Sequence, residues 1–152
     1  MNYFEVKVRF YQTAGDALSA KRTCHTYLVE TETFGHAEQT AIEEVQPYAA
    51  KGFGVEVVSV KRVSINEIVF NGDGQFFFLA KVKLTIIDED GKEKKSSINI
   101  LVQSNSIEDA NKEVKAVLAY SISDWSVDTI KETPIIEVLG IRQEHVDAAN
   151  NA

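Results

Sequence analysis

Cysteine is nearly absent from this chain: Cys24 is the only one in 152 residues. That excludes an intramolecular disulfide and a thiolate metal cluster, and it suits a reducing compartment. Long apolar runs are missing as well. Nothing approaches the ~18 uninterrupted apolar residues of a membrane helix, and the opening MNYFEVKVRF alternates charged with apolar residues instead of holding the apolar core of a signal peptide. The expectation is a cytoplasmic protein that makes no membrane contact. An excess of positive charge is lacking too, because 16 Lys and Arg against 23 Asp and Glu leave a formal net charge of −7. Any nucleic acid must therefore be met by a local basic face and not by the chain as a whole. With 44% hydrophobic and 26% charged residues, the composition is that of an ordered globular protein.

Motifs for cofactor, metal or catalysis are equally scarce. The glycines of NGDGQF lie between two strand-like segments, whereas a phosphate-cradling loop opens a helix and carries a lysine and a hydroxyl residue. DEDGKE lacks the flanking helices and the spaced glutamate of a calcium loop. Cys24 and His25 are neighbours on a strand, so their side chains leave on opposite faces. His36 falls in a first helical turn and His145 in the tail, and no second histidine follows at the i+4 spacing a zinc site uses. Glu43 with Glu44, and Glu108 with Asp109, are helix neighbours about 100° apart, which describes an exposed helix face and not an acid–base pair. No catalytic residue, metal ligand or cofactor is nominated, and the expectation is a protein that is not an enzyme.

What is present is a repeat. YFEVKVRF near the start alternates Phe4, Val6, Val8 and Phe10 with Glu5, Lys7 and Arg9, the pattern of a half-buried strand. A polar stretch, TAGDALSAKR, and a second strand, TCHTYLVE, predict a hairpin with a long mobile connection. Thr33 then caps a helix whose Phe34, Ala37, Ala41, Ile42 and Val45 recur at helical spacing, and Pro47 ends it. VEVVSVKRVSINEIVF predicts a long strand with a bend, and NGDG predicts a tight hairpin into the next strand. FFFLAKVKL begins the same series again: a hairpin turning at Asp90-Gly91, a helix capped by Ser106 with Ile107, Ala110, Val114, Val117 and Leu118 as its stripe, and a closing strand interrupted by Pro134.

Phe4 answers Phe78 at a separation of 74 residues, Thr33 answers Ser106 at 73, and Lys61 answers Lys131 at 70. In that register Lys7 and Val8 match Lys81 and Val82, Leu28 and Val29 match Leu101 and Val102, Ala37 matches Ala110, and Glu67 matches Glu137. The expected fold is α+β: a single domain over 1–140 built from two pseudo-twofold ββαβ repeats, 1–72 and 73–140, each antiparallel sheet covered by one helix, with 141–152 as a polar C-terminal tail. Two units are too few for a solenoid, so they are expected to share one core.

If Phe4, Val6, Val8 and Phe10 face the first helix, then Tyr3, Lys7, Arg9 and Tyr11 project from the other side of the sheet. The second copy puts Phe77, Leu79, Lys81 and Lys83 there. Rings interleaved with cations suit single-stranded nucleic acid, since rings stack on bases and cations meet phosphates. Tyr3, Lys7, Arg9, Tyr11, Phe77, Lys81 and Lys83 are therefore the candidate nucleic-acid-binding residues. A solvated sheet face, or one packed on a second subunit, accounts for the same pattern, and Phe77 beside Leu79 suits a homodimer as well as a base platform.

YFEVKVRFYQT, TYLVETETFGHAEQTAIEEV, VKRVSINEIVF and FFFLAKVKLTIIDEDGKEKKSSINILVQSNSIEDA together resemble an uncharacterised protein family of Bacteroidetes and their bacteriophages. The resemblance spans nearly the whole chain and implies no activity. In layout alone the chain is similar to a permuted form of the duplicated repeats of Pur-alpha and Whirly-type single-strand binders, with none of their sequence motifs. The functional expectation is a small non-enzymatic protein that binds single-stranded nucleic acid through the basic and aromatic sheet face. The alternative is a structural or adaptor protein, phage or bacterial, that uses this face for protein–protein contact or self-association.

Overall fold

A computed structural model describes residues 2–13 and 20–140. Most of the expected mobile hairpin connection, His145 and the tail at 141–152 lie outside the described residues. In chain order the elements are β1 (Asn2–Thr13), β2 (Ala20–Thr31), α1 (Phe34–Val45), a 3-10 turn (Gln46–Tyr48), β3 (Glu56–Val63), β4 (Glu67–Val69), β5 (Phe76–Ile87), β6 (Glu93–Ser104), α2 (Ile107–Leu118), β7 (Asp124–Glu132) and β8 (Ile135–Gly140). The fold is α+β, with two four-stranded sheets of order β3-β1-β2-β8 and β4-β6-β5-β7 and one helix packed on each.

The described residues divide into two compact units, those of 2–63 with 135–140, and 64–134. In the first, alternation along β1 puts Phe4, Val6, Val8 and Phe10 under α1, where they meet Ala37, Ala41 and Val45 and the β2 residues Tyr27 and Val29. In the second, Phe78, Ala80 and Val82 of β5 meet Ala110, Val114 and Leu118 of α2. Each large apolar side chain buried this way contributes about 1.5–3 kcal/mol. Both helices start as the sequence predicts: the Thr33 hydroxyl accepts from the His36 amide at 3.1 Å and the Ser106 hydroxyl from the Asp109 amide at 3.2 Å. Pro47 sits in the 3-10 turn that follows α1.

The repeat extends to an irregularity. The β1–β3 register slips between Lys7 and Val8, leaving Val58 without an opposite number, and the β5–β7 register slips between Lys81 and Val82, leaving Asp128 in the same position. These are matching β-bulges, each of which sharpens the local twist of its strand.

Two features differ from the sequence expectation. Each sheet is antiparallel except for its shortest contributor: β8 runs parallel to β2, and β4 runs parallel to β6. Each of these strands ends one repeat in sequence but completes the sheet of the other, so the compact units do not coincide with the repeats. The NGDG stretch is also not a hairpin, because β4 and β5 are not neighbours; β6 lies between them. The chain instead crosses the end of β6 on side-chain bridges. Gln103 accepts from the Asn71 amide and donates to the Gly74 carbonyl, while Asn105 accepts from the Gln75 amide and donates to the Asp73 carbonyl. The expected turn at Asp90-Gly91 is present, with Gly91 at φ 77° and the Asp88 carboxylate accepting from the amides of Asp90 and Lys92.

Candidate nucleic-acid interface

Residues paired directly across an antiparallel ladder lie on one face of the sheet. On the face of the first sheet turned away from α1, Tyr11 stands opposite Arg22, Arg9 opposite Cys24 and Glu56, Lys7 opposite Thr26 and Ser59, and Glu5 opposite Leu28 and Lys61. In the second sheet Thr85 stands opposite Lys95, Lys83 opposite Ser97, Lys81 opposite Asn99 and Thr129, and Leu79 opposite Leu101 and Lys131. Four cationic positions therefore recur in the two units: Lys7 with Lys81, Arg9 with Lys83, Arg22 with Lys95, and Lys61 with Lys131. All are exposed apart from Arg9, which is half-buried.

Sequence alternation found the first two of these pairs. Arg22 and Lys95 escaped it because their face is set by cross-strand register, and Lys61 matches Lys131 in the repeat without showing which face the two share. Carboxylates stand among the cations. Arg9 Nη1 pairs with Glu56 Oε2 at 3.3 Å, and Lys83 Nζ pairs with Asp128, the bulged residue, at 3.5 Å. Glu5 and Glu30 share the first face. A hydrogen bond with the Cys24 side chain, and then the Glu56 charge, raise the pKa of Arg9, so its guanidinium stays charged.

The rings are divided. Tyr3 and Phe77 lie on the expected faces but are only 9% and 3% exposed, and neither offers a ring to a base in this state. Leu28 and Leu101 beside them are fully buried, and Leu79 is half-buried. Tyr11 is half-buried and packs against Phe53, ring centroids 4.8 Å apart and planes tilted by 36°. Phe53 is 49% exposed. In sequence it belongs to AAKGFG, a segment that signals only where α1 ends, so nothing there marks it as a partner of Tyr11. The structure thus brings Lys7, Arg9 and Tyr11 together on a face of the first sheet, and Lys81 and Lys83 together on the equivalent face of the second.

The remaining polar groups have structural surroundings. The His25 Nδ1 lies 2.9 Å from the Tyr27 hydroxyl in a hydrogen bond, with Phe10 edge-on to the imidazole. Burial lowers the His25 pKa and raises that of Tyr27. A groove of about 500 Å³ between α2 and β7 is lined by Ile107, Asn111, Lys115, Val127 and Ile130 among others. Among the described residues no three His, Cys, Asp or Glu side chains are grouped to hold a metal ion, and no helix is long and apolar enough to cross a membrane.

A family model described as Domain of unknown function (DUF4494) matches residues 2–141. No curated protein and no solved structure matches the chain.

Proposed function

We propose that this chain, which belongs to the DUF4494 family of unknown function, is a non-enzymatic protein that binds single-stranded nucleic acid through the helix-free faces of its sheets. The observation that carries this reading is the recurrence of the cationic quartet at equivalent ladder positions in both units. In a chain of net charge −7, a background of acidic residues elsewhere leaves those faces as the places where phosphates find cations spaced along a strand.

The test is fluorescence anisotropy with labelled oligothymidine at low salt. The wild type is expected to bind, and more weakly as salt rises. Lys7→Glu with Lys81→Glu lowers the affinity and also flattens the salt dependence, by about 0.7 in the log–log slope for each phosphate that is no longer neutralised. Absence of binding by the wild type at tens of micromolar protein overturns the reading.

One observation favours the adaptor alternative. Just beyond the last β5–β7 pair, Thr85 with Asp124, the chain exposes Ile87 on one strand and Tyr120 and Ile122 ahead of the other, at 69%, 91% and 105%, and exposed apolar side chains of this kind suit contact with another protein. A second copy of the chain is one such partner, and light scattering at high concentration distinguishes a dimer from a monomer.

A further inference from the structure

The two units agree in their cations and differ in their rings. Tyr11 corresponds to Thr85, since each pairs with the matching cation of the neighbouring strand, Arg22 in one unit and Lys95 in the other. Phe53 precedes β3 by three residues as Ile122 precedes β7 by two, so no ring stands there in the second unit either.

Phe53 is also held in place. The Ala50 amide donates to the Tyr11 carbonyl at 2.7 Å, Ala49 bridges to Gln12, and the Phe53 amide donates to the Ala50 carbonyl at 3.3 Å. Gly52, at φ 86°, takes the third position of that turn, where a type II turn needs a positive φ. A side chain 49% exposed on a turn bonded to its sheet has little further ordering to undergo on binding. Beside it, Arg22 is directly across from Tyr11, Arg9 is two residues along the same strand, and the Arg9 Nε is buried without a hydrogen-bond partner.

We infer that Tyr11 and Phe53 form a base-stacking site confined to the first unit, at which an unpaired nucleobase stacks on the exposed Phe53 ring while Arg22 and Arg9 meet its flanking phosphates. The second unit, with Lys81, Lys83, Lys95 and Lys131 but no ring at these positions, contacts the backbone alone. The inference rests on the nucleic-acid reading and adds to it where the bases go. Stacking of this kind tolerates any base, because every base has a π-face.

The experiment compares labelled oligothymidine with an oligonucleotide of equal length made wholly of abasic residues, which keeps the phosphates and removes the rings. The wild type is expected to bind the abasic strand roughly 5- to 150-fold more weakly, the effect of removing one stacked base. Phe53→Ala weakens oligothymidine binding over the same range, leaves the salt slope unchanged, and removes the preference over the abasic strand; Ser123→Ala and Thr85→Ala change none of these. Phe53→Trp adds a readout that does not depend on affinity, since its fluorescence is quenched by oligothymidine and not by the abasic strand. If the wild type binds neither strand, the nucleic-acid reading and the stacking site fall together. If it binds both equally, or if Phe53→Ala retains the preference, the stacking site falls and the backbone reading stands.

Discussion

His25 and Tyr27 occupy β2 on the side that faces α1, where alternation asks for apolar residues, and each keeps a polar atom there by bonding to the other. The cost of burial appears in both ionisations. Removing water from around His25 lowers its pKa below the ordinary 6.5, because the imidazolium loses hydration that Phe10 and Tyr27 do not replace. The unfolded chain then binds the proton more readily than the folded one, so stability is full above about pH 6.5 and declines as the pH falls from there through the lower folded value. Urea unfolding measured from neutral to mildly acidic pH should show this decline, and His25→Phe should show less of it. An identical pH profile for wild type and variant would mean that His25 stays as well solvated in the fold as out of it. Tyr27 moves the opposite way, its pKa raised chiefly by burial and then by the nearby Glu44 charge, so its hydroxyl keeps its proton throughout.

At the level of elements, the informative departures are the short strands. β4 spans only Glu67–Val69 and joins β6 through three paired positions, too few to hold a register by ladder bonds alone. Its entry is pinned by Asn66, whose amide donates to the Asn99 backbone carbonyl at 2.9 Å and whose side-chain oxygen accepts from the Asn99 amide at 2.8 Å, and its exit by the crossing over the end of β6. Gly74 makes that crossing possible. A Cβ there would stand 2.6 Å from the Ser104 amide nitrogen and 2.8 Å from the Gln103 carbonyl carbon, both backbone atoms that cannot swing aside. Gly74→Ala is therefore expected to lower stability by about 1–3 kcal/mol, the range for an unrelieved backbone conflict. A shift in the urea midpoint corresponding to less than about half a kcal/mol, the range of an ordinary surface substitution, would show that the crossing opens easily. Gly140 has a comparable place at the end of β8, with φ 113° and the Glu30 carbonyl oxygen in the space a Cβ would need.

For the whole molecule, the consequence of exchanging short strands is that the sequence repeat is not the unit of folding. A fragment of residues 1–72 contains β1, β2, α1 and β3 but lacks β8, which supplies the fully buried Val138 and the nearly buried Leu139. It also carries β4, which has no sheet to join without β6. Residues 73–140 have the converse defect. Residues 64–134 hold all four strands of one sheet together with α2. The expectation is that 1–72 and 73–140 fail to unfold cooperatively, whereas 64–134 retains strand and helix signal in circular dichroism and melts as a unit. A sharp melt from 1–72 alone would show that β8 is dispensable to the first sheet. Charge at this scale is equally uneven: an acidic chain places matching cations on one face of each sheet, which is why the salt dependence of binding is the measurement that separates the nucleic-acid reading from the adaptor one.

Much of this was legible in the order of residues alone. Period-2 alternation in YFEVKVRF and FFFLAKVKL, helical spacing after Thr33 and Ser106, and the interruptions at Pro47 and Pro134 depend on residues close in sequence, and the backbone obeys local sterics and local hydrogen bonds wherever it ends up. The duplication was legible for the same reason, since equivalent local patterns recur in one order. Which strands become neighbours is a different kind of fact. A strand's alternation says which side is apolar and nothing about its partner, so β8 beside β2, β4 beside β6 and the crossing at Gly74 were not readable from NGDG or from IIEVLG. The candidate site divides along the same line. Lys7 with Arg9, and Lys81 with Lys83, each share a face by the pleat of their own strand, a local property. Arg22 and Lys61 join the first pair, Lys95 and Lys131 the second, and Phe53 reaches Tyr11 only because segments distant in sequence are brought together, and that was decided by tertiary packing; the burial of Tyr3 and Phe77 was likewise not readable from the alternation of their own strands.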